Sequence, residues 1–301
     1  MSTLPTGLAS ASGVSPSPLL DVRDLVVEYP RPGSRTQRTR VLKSVSLDIR
    51  PGECVGLVGE SGSGKTTLGR AVLGLAPVHS GQILYSGQDI AHASRSDRRS
   101  MGSEIQVVFQ DPYTSLNPSM TVGDILSEPL TARRVPKADA TARVRELLDQ
   151  VSLPADALQR LPREFSGGQR QRVAIARALA LSPKLIICDE PVSALDLSTQ
   201  ARVLDLFVEI QERTGVAYLF ITHDLSVVRH VSHRVAVMYH GEIVERGQTN
   251  QVTSDPEHPY TQRLWMAAPV PDPGLQAKRR AERLRLIAVQ AEQDEQAGAV
   301  A

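Results

Sequence analysis

Cysteine is scarce: there are two in 301 residues. Cys54 and Cys188 both lie in apolar runs, so they read as small core residues rather than a disulfide or metal pair. That usage suits a reducing, cytosolic compartment. A charge excess is also missing. Lys plus Arg number 34 against 33 Asp plus Glu, a formal net charge of +1, which speaks against a nucleic-acid partner. No apolar run approaches the roughly 20 residues that cross a bilayer. The opening MSTLPTGLASASGVSPSPLL lacks a basic start and a continuous apolar stretch, so it does not read as a secretory signal. Its Ser, Pro, Gly and Ala content reads as a disordered tail over residues 1–18. Work at a membrane would then need a partner to hold the chain there. No internal repeat is visible. What is present is a hydrophobic fraction of 41%, enough for one large domain or a core with a smaller lobe.

LLDVRDLVVEYP and VLKSVSLDIR read as strands, and ECVGLVG as a buried strand bounded by glycine. In KTTLGRAVLGLA, Leu68, Ala71, Val72 and Leu75 fall on one helical face. GQILYSGQDI returns to strands as a hairpin. From about Thr121 to Leu161 strands are absent, and Val144, Leu147, Leu148 and Val151 mark a helix face. This stretch reads as a helical lobe inserted into a sheet domain. KLIICDE is then a buried strand, SALDLSTQARVLDLFVEIQERTG a turn and helix, AYLFITHD a strand and RVAVMYHGEIVERG a hairpin. The alternation predicts an α/β domain with a mostly parallel sheet and helices on both faces.

Gly59 to Thr66, GESGSGKT, matches G-x-x-x-x-G-K-[ST] between an expected strand and an expected helix, the context that motif requires. Gly59, Gly62 and Gly64 let backbone N–H groups converge on phosphate oxygens. Lys65 supplies a mobile cation, and the Thr66 hydroxyl can ligate Mg2+. Asp189 and Glu190 end the apolar run KLIICDE, where ligands of open α/β sheets bind. Asp189 suits Mg2+, directly or through water, and Glu190 suits polarising an attacking water. His223 and Gln110 end two further apolar runs. A second helix start lies at Ser166, Gly167 and Gly168. Ser166 is a good N-cap and the glycines leave N–H groups uncovered, so this start also attracts anions.

Together, Gly59–Thr66, Gln110, Ser166–Gln169, Leu185–Glu190, Ser193–Asp196 and His223 resemble the nucleotide-binding subunit of an ATP-binding cassette (ABC) transporter over about residues 20–265. FSGGQ is similar to that family's signature, with Phe165 where leucine is commoner. The stretch after Gln110, DPYTSLNPSMTVGDILSEPL, and the later DPEHPYTQRLWMAAP resemble the oligopeptide/dipeptide/nickel importer branch. Some members follow the His-Pro-Tyr segment with cysteines that hold an iron–sulfur cluster. No cysteine stands there in this chain, so no cluster is expected.

The resemblance implies a P-loop NTPase cassette with a RecA-like core, an N-terminal antiparallel β-subdomain and an inserted helical subdomain at about 112–165. The cassette would span 19–250, followed by the transporter-type segment 251–272 and a charged tail 273–301. It further implies that two cassettes pair head to tail with ATP and Mg2+ between them. Tyr29 would stack on adenine. Gly59, Glu60, Ser61, Gly62, Ser63, Gly64, Lys65, Thr66 and Thr67 would form the phosphate loop. Gln110 would contact Mg2+ or the water, Asp189 would support Mg2+, Glu190 would be the general base and His223 would contact the γ-phosphate. Ser166, Gly167 and Gly168 would donate to that phosphate from the opposite cassette, with Gln169 also among the nucleotide-binding residues and Asp196 in a loop that meets the partner. The implied partners are a second cassette (a copy or a paralogue), two permeases and an extracytoplasmic solute-binding protein, with no nucleic acid. The implied place is the cytoplasmic face of the inner membrane.

Other readings fit less well. A translation-type ABC ATPase carries two cassettes in one chain, and a repair type splits its cassette around a long coiled coil. Here there is one cassette and no sustained heptad pattern. A P-loop kinase or GTPase has no use for Ser-Gly-Gly-Gln, and no Asn-Lys-x-Asp motif is present. A degenerate, non-hydrolysing cassette would lack hydrolytic positions that are intact here.

Overall fold

The structure is a computed structural model that describes residues 17–31, 33 and 37–267. Most of the expected N-terminal tail, residues 268–272 and the expected charged tail 273–301 lie outside the described residues. Among the described residues, ten strands form two sheets. The first is antiparallel, in the order β2 (Arg38–Ile49), β1 (Leu20–Pro30), β4 (Val78–Tyr85) and β5 (Gln88–Asp89). The second runs β10 (Glu242–Gln248), β9 (Arg234–Tyr239), β3 (Cys54–Val58), β8 (Ala217–Thr222), β7 (Leu185–Asp189) and β6 (Ile105–Val108). Strands β9 to β6 of that order pair in parallel, and β10 turns back antiparallel on β9.

Strand period sorts the core. Successive side chains point to opposite faces, so Leu185, Ile187, Ala217, Leu219 and Ile221 join one apolar layer. Ile186, Cys188, Tyr218 and Phe220 join the other. The first layer is completed by the antiparallel sheet and by Leu68, Ala71 and Val72 of α1 (Lys65–Val72). Leu75 does not join it. Helix α1 ends at Val72, Gly74 turns the chain at φ +73°, and Leu75 is left 65% exposed. The expected i+7 position therefore falls past the helix end, because a left-handed residue stops the periodicity.

Helix α2 (Arg95–Met101) follows the antiparallel sheet. After α3 (Pro112–Ser115), which packs on α6, the second layer is covered by α4 (Val122–Ala132), α5 (Lys137–Gln150), α6 (Gly167–Leu179) and α7 (Leu197–Thr214). No strand occurs between residues 112 and 165. Val203, Leu206, Phe207 and Ile210 form the buried stripe of α7 at the spacing of one helical face. The Phe207 ring meets Tyr218 and Phe220 edge-on at 5.5 and 5.3 Å. Each such ring pair adds about 0.5–1.5 kcal/mol beyond area burial. Arg234 ties the two sheets together. Its guanidinium grips the Asp48 carboxylate at 2.7 and 2.9 Å and reaches Glu53 at 3.2 Å. That grip holds the Asp48 carboxyl below its ordinary value. A third apolar cluster gathers Val58, Val235 and Val237 with α8 (Leu225–Val231), α9 (Thr249–Ser254) and Tyr260 of α10 (Pro259–Ala267).

Candidate functional site

The loop after β3 closes on itself through its own lysine. Lys65 is 5% exposed, and its Nζ donates to the carbonyls of Gly59 at 2.7 Å and Glu60 at 2.8 Å. Burial pulls its pKa below the ordinary lysine value, against the pull of Glu190, Asp189 and Glu60. Gly59 is required by close approach: a Cβ there would stand 2.1 Å from the carbonyl oxygen of Met238. The loop is held from outside as well, since Gly241 N donates to Ser63 O at 2.9 Å. Gly64 caps α1 with φ +111° and no side-chain cap. The first-turn amides of α1 are thus left for an anion.

Four parallel strands deliver their carboxyl ends to this loop. Thr66 Oγ1 donates to Asp189 Oδ1 at 3.0 Å. Burial raises the Asp189 pKa, opposed by that hydrogen bond. Glu190 follows in the left-handed region at φ +49°, a conformation that costs a non-glycine about 1–3 kcal/mol and is met at functional turns. Its Oε2 lies 3.2 Å from His223 Nδ1, which stands just past β8. The register pairs Val108 with Cys188, so Gln110 and Glu190 leave the sheet at the same level. Thr66 and Asp189 offer a hydroxyl and a carboxylate, hard oxygen donors that suit Mg2+. That ion takes few protein ligands and completes its shell with water and phosphate oxygens. No cluster of three or more His, Cys, Asp or Glu side chains that could hold a metal occurs among the described residues.

The second helix start is built differently. Ser166 Oγ accepts from Gln169 N at 3.3 Å and Gln169 Oε1 accepts from Ser166 N at 3.0 Å, a reciprocal capping box. The Gly167 and Gly168 amides lie between these two bonds. Gly168 is fixed by packing, because a Cβ there would sit 2.3 Å from the Thr199 methyl of α7. Asp196 caps α7 by accepting from Thr199 N at 3.0 Å and Ser198 Oγ at 2.7 Å. These bonds hold its carboxyl below the ordinary range.

Two separate hollows result. One, of about 220 Å3, is lined by Val41, Ser61, Gly62, Gly64, Lys65, Thr66, Thr67 and Glu190. The other, of about 320 Å3, is lined by residues including Ser166, Gly168, Gln169, Arg172, Thr199 and Arg202. They share no residue. The first is smaller than the roughly 300–1,000 Å3 of sites that enclose a whole small ligand. Gly59, Glu60 and Ser63 support the loop from behind without lining its hollow. Tyr29 lines neither hollow and packs partly against the first apolar layer. Sequence reading missed Val41, Thr199, Arg172 and Arg202. Only the fold brings these ordinary strand and helix residues to the hollows, and no motif marks them.

The family model described as ABC transporter matches residues 42–193. The glutathione import ATP-binding protein GsiA of Escherichia coli (strain K12) is 49% identical over 272 residues, covering 89% of this chain and 44% of that protein. GsiA of Salmonella typhi is 48% identical over the same length. The chain therefore spans less than half the length of these curated relatives. Among solved structures, cbiO1 from Clostridium perfringens, part of the ABC transporter complex cbiONQ, aligns with a TM-score of 0.71 at 29% identity, over 79% of this chain and 91% of that one. The dimeric cassette MJ0796, in a post-hydrolysis state bound to ADP and Pi, aligns with a TM-score of 0.67 at 28% identity, over 76% and 98% of the two chains.

Proposed function

The chain belongs to the ABC transporter family, and from that premise we propose that it is the ATP-binding and ATP-hydrolysing subunit of an importer. It would energise uptake of peptides, nickel or a related small solute through two partner permeases, served by an extracytoplasmic solute-binding protein. Identity to proteins named for glutathione import favours a small peptide. No helix among the described residues is long and apolar enough to cross a membrane. The permeases would therefore hold the subunit at the cytoplasmic face of the inner membrane.

The observation that carries the reading is the pair of hollows with no common residue. One presents a lysine-bearing loop with the Glu190 carboxylate at its wall, and the other a glycine helix start flanked by Arg172 and Arg202. The loop hollow is too small to enclose a whole nucleotide by itself. A head-to-tail pair of cassettes completes both. In the loop half, the α1 amides and Lys65 bind the phosphates. Thr66 and Asp189 would hold Mg2+, which neutralises charge building on the phosphate oxygens when bound. Glu190 accepts the proton of the attacking water, His223 orients that carboxylate and reaches the γ-phosphate, and Gln110 contributes from the adjacent strand end. In the signature half, Ser166, Gly167 and Gly168 donate to the γ-phosphate from the partner. Closure is a population shift: ATP touches both halves, whereas ADP lacks the group that the signature half would bind.

Glu190→Gln tests the assignment. The expected result is retained ATP binding, a fall in hydrolysis of at least about a hundredfold and a persistent ATP-bound pair. Turnover like that of the unaltered protein, in the complex with its permeases, would refute Glu190 as general base.

A further inference from the structure

The His-Pro-Tyr segment has no part in the chemistry above, yet it reaches the phosphate loop. It is locked to the sheet by Glu245 of β10, whose two carboxylate oxygens accept from Glu257 N at 2.9 Å and His258 N at 3.0 Å. His258 Nδ1 then accepts from Tyr260 N at 3.2 Å at the head of α10, and Gln262 Nε2 donates to Pro256 O at 2.9 Å. This places Tyr260 in the third apolar cluster, 2% exposed and stacked on Tyr239 at 4.0 Å between ring centroids. From there its hydroxyl accepts a hydrogen bond from Glu60 N at 2.9 Å, across 200 residues of sequence.

The peptide reached in this way is the one that holds the lysine. The Gly59–Glu60 amide is trans, so its N–H and C=O point to opposite sides of one rigid plane. Its N–H is held by Tyr260, while its carbonyl, that of Gly59, accepts from Lys65 Nζ at 2.7 Å. Fixing one end of the plane fixes the other. Without the hydroxyl the plane can rotate about its flanking bonds, since Gly59 carries no side chain to resist. Burial raises the Tyr260 pKa, which keeps the hydroxyl neutral in the physiological range.

We propose that Tyr260 is a positioning residue for the nucleotide loop, its hydroxyl setting the Gly59–Glu60 peptide against which Lys65 is held, so that the segment after the cassette tunes nucleotide affinity. This rests on the nucleotide-binding reading of the loop. Equilibrium binding of a fluorescent ATP analogue and of ADP, together with thermal melting, tests it on the full chain, on Tyr260→Phe and on Val252→Ala. Tyr260→Phe keeps the buried stacked ring and removes only the acceptor. Its Kd should rise about three- to tenfold, as one lost hydrogen bond predicts. Val252 is buried in the same cluster and touches the loop through no hydrogen bond. Val252→Ala should lower Tm at least as much as Tyr260→Phe while leaving Kd unchanged. An unchanged Kd in Tyr260→Phe overturns the proposal, and so does a Kd rise in Val252→Ala that matches its loss of Tm. If the unaltered chain binds neither probe, the nucleotide reading itself fails.

Discussion

Asp189, proposed above to hold Mg2+, is unfavourable to the fold in its charged form. Its pKa is raised by burial, so the native state disfavours its charge. For a carboxyl raised on folding, the unfolded chain binds fewer protons between the ordinary value of about 3.9 and the raised one. Stability therefore falls as pH climbs through that window and stays lower above it. Asp189→Asn removes the titration. Without nucleotide, its Tm should match that of the unaltered chain below the window and exceed it at pH 7. Mg2+-dependent ATP binding should meanwhile be lost. Melting curves across pH 3–7, with and without nucleotide, check both halves. A Tm for Asp189→Asn below that of the unaltered chain at pH 7 would show that the Thr66 hydrogen bond outweighs burial. The type and order of residues such as Lys65, Thr66 and Asp189 were legible from sequence, because a motif states a chemistry. The 3.0 Å Thr66–Asp189 contact was not, since 123 residues separate its two ends.

At the scale of elements, the two glycine helix starts differ in their caps. Helix α1 begins at a left-handed glycine without a side-chain cap, which leaves its amides to a ligand. Helix α6 begins in a capping box, which holds the helix together unaided and leaves Gly167 and Gly168 between its bonds. Ser166→Ala removes one arm of the box, at a cost of about 0.5–2 kcal/mol, or a few degrees of Tm for a domain of this size. Nucleotide binding to the isolated subunit should be spared, because the loop hollow does not include this helix. ATP-driven pairing and turnover should fall. Nucleotide titration alongside sizing chromatography with ATP measures both, and loss of monomer binding would contradict the separation of the hollows. Helix α1 also marks a limit of periodicity: Leu75 matched the apolar spacing but lies past the glycine that ends the turn. Spacing reports a helix, and only the local dihedral reports where it stops.

For the whole molecule, the proposed half-sites predict complementation wherever the pair is made of two copies of this chain. Lys65→Ala disables the loop half and Ser166→Phe disables the signature half. In a mixed pair, one composite site keeps an intact loop from the second variant and an intact signature from the first. Each variant alone should be inactive. Mixed in equal amounts, they should recover about a quarter of the normal ATPase rate, since half the pairs are mixed and each holds one working site of two. No recovery would mean that the partner cassette is not a copy of this chain.

The linear chain determined the layer pattern, the phosphate loop, the carboxylate pair and the helix start at Ser166. Each of these is encoded within a few consecutive residues by strand period, glycine freedom or capping. Tertiary structure alone decided that the two glycine helix starts face separate hollows and that Tyr260 holds the first peptide of the loop. Such contacts depend on strand order and helix docking. Those come from burial summed over the whole core, and no local stretch of sequence carries that sum.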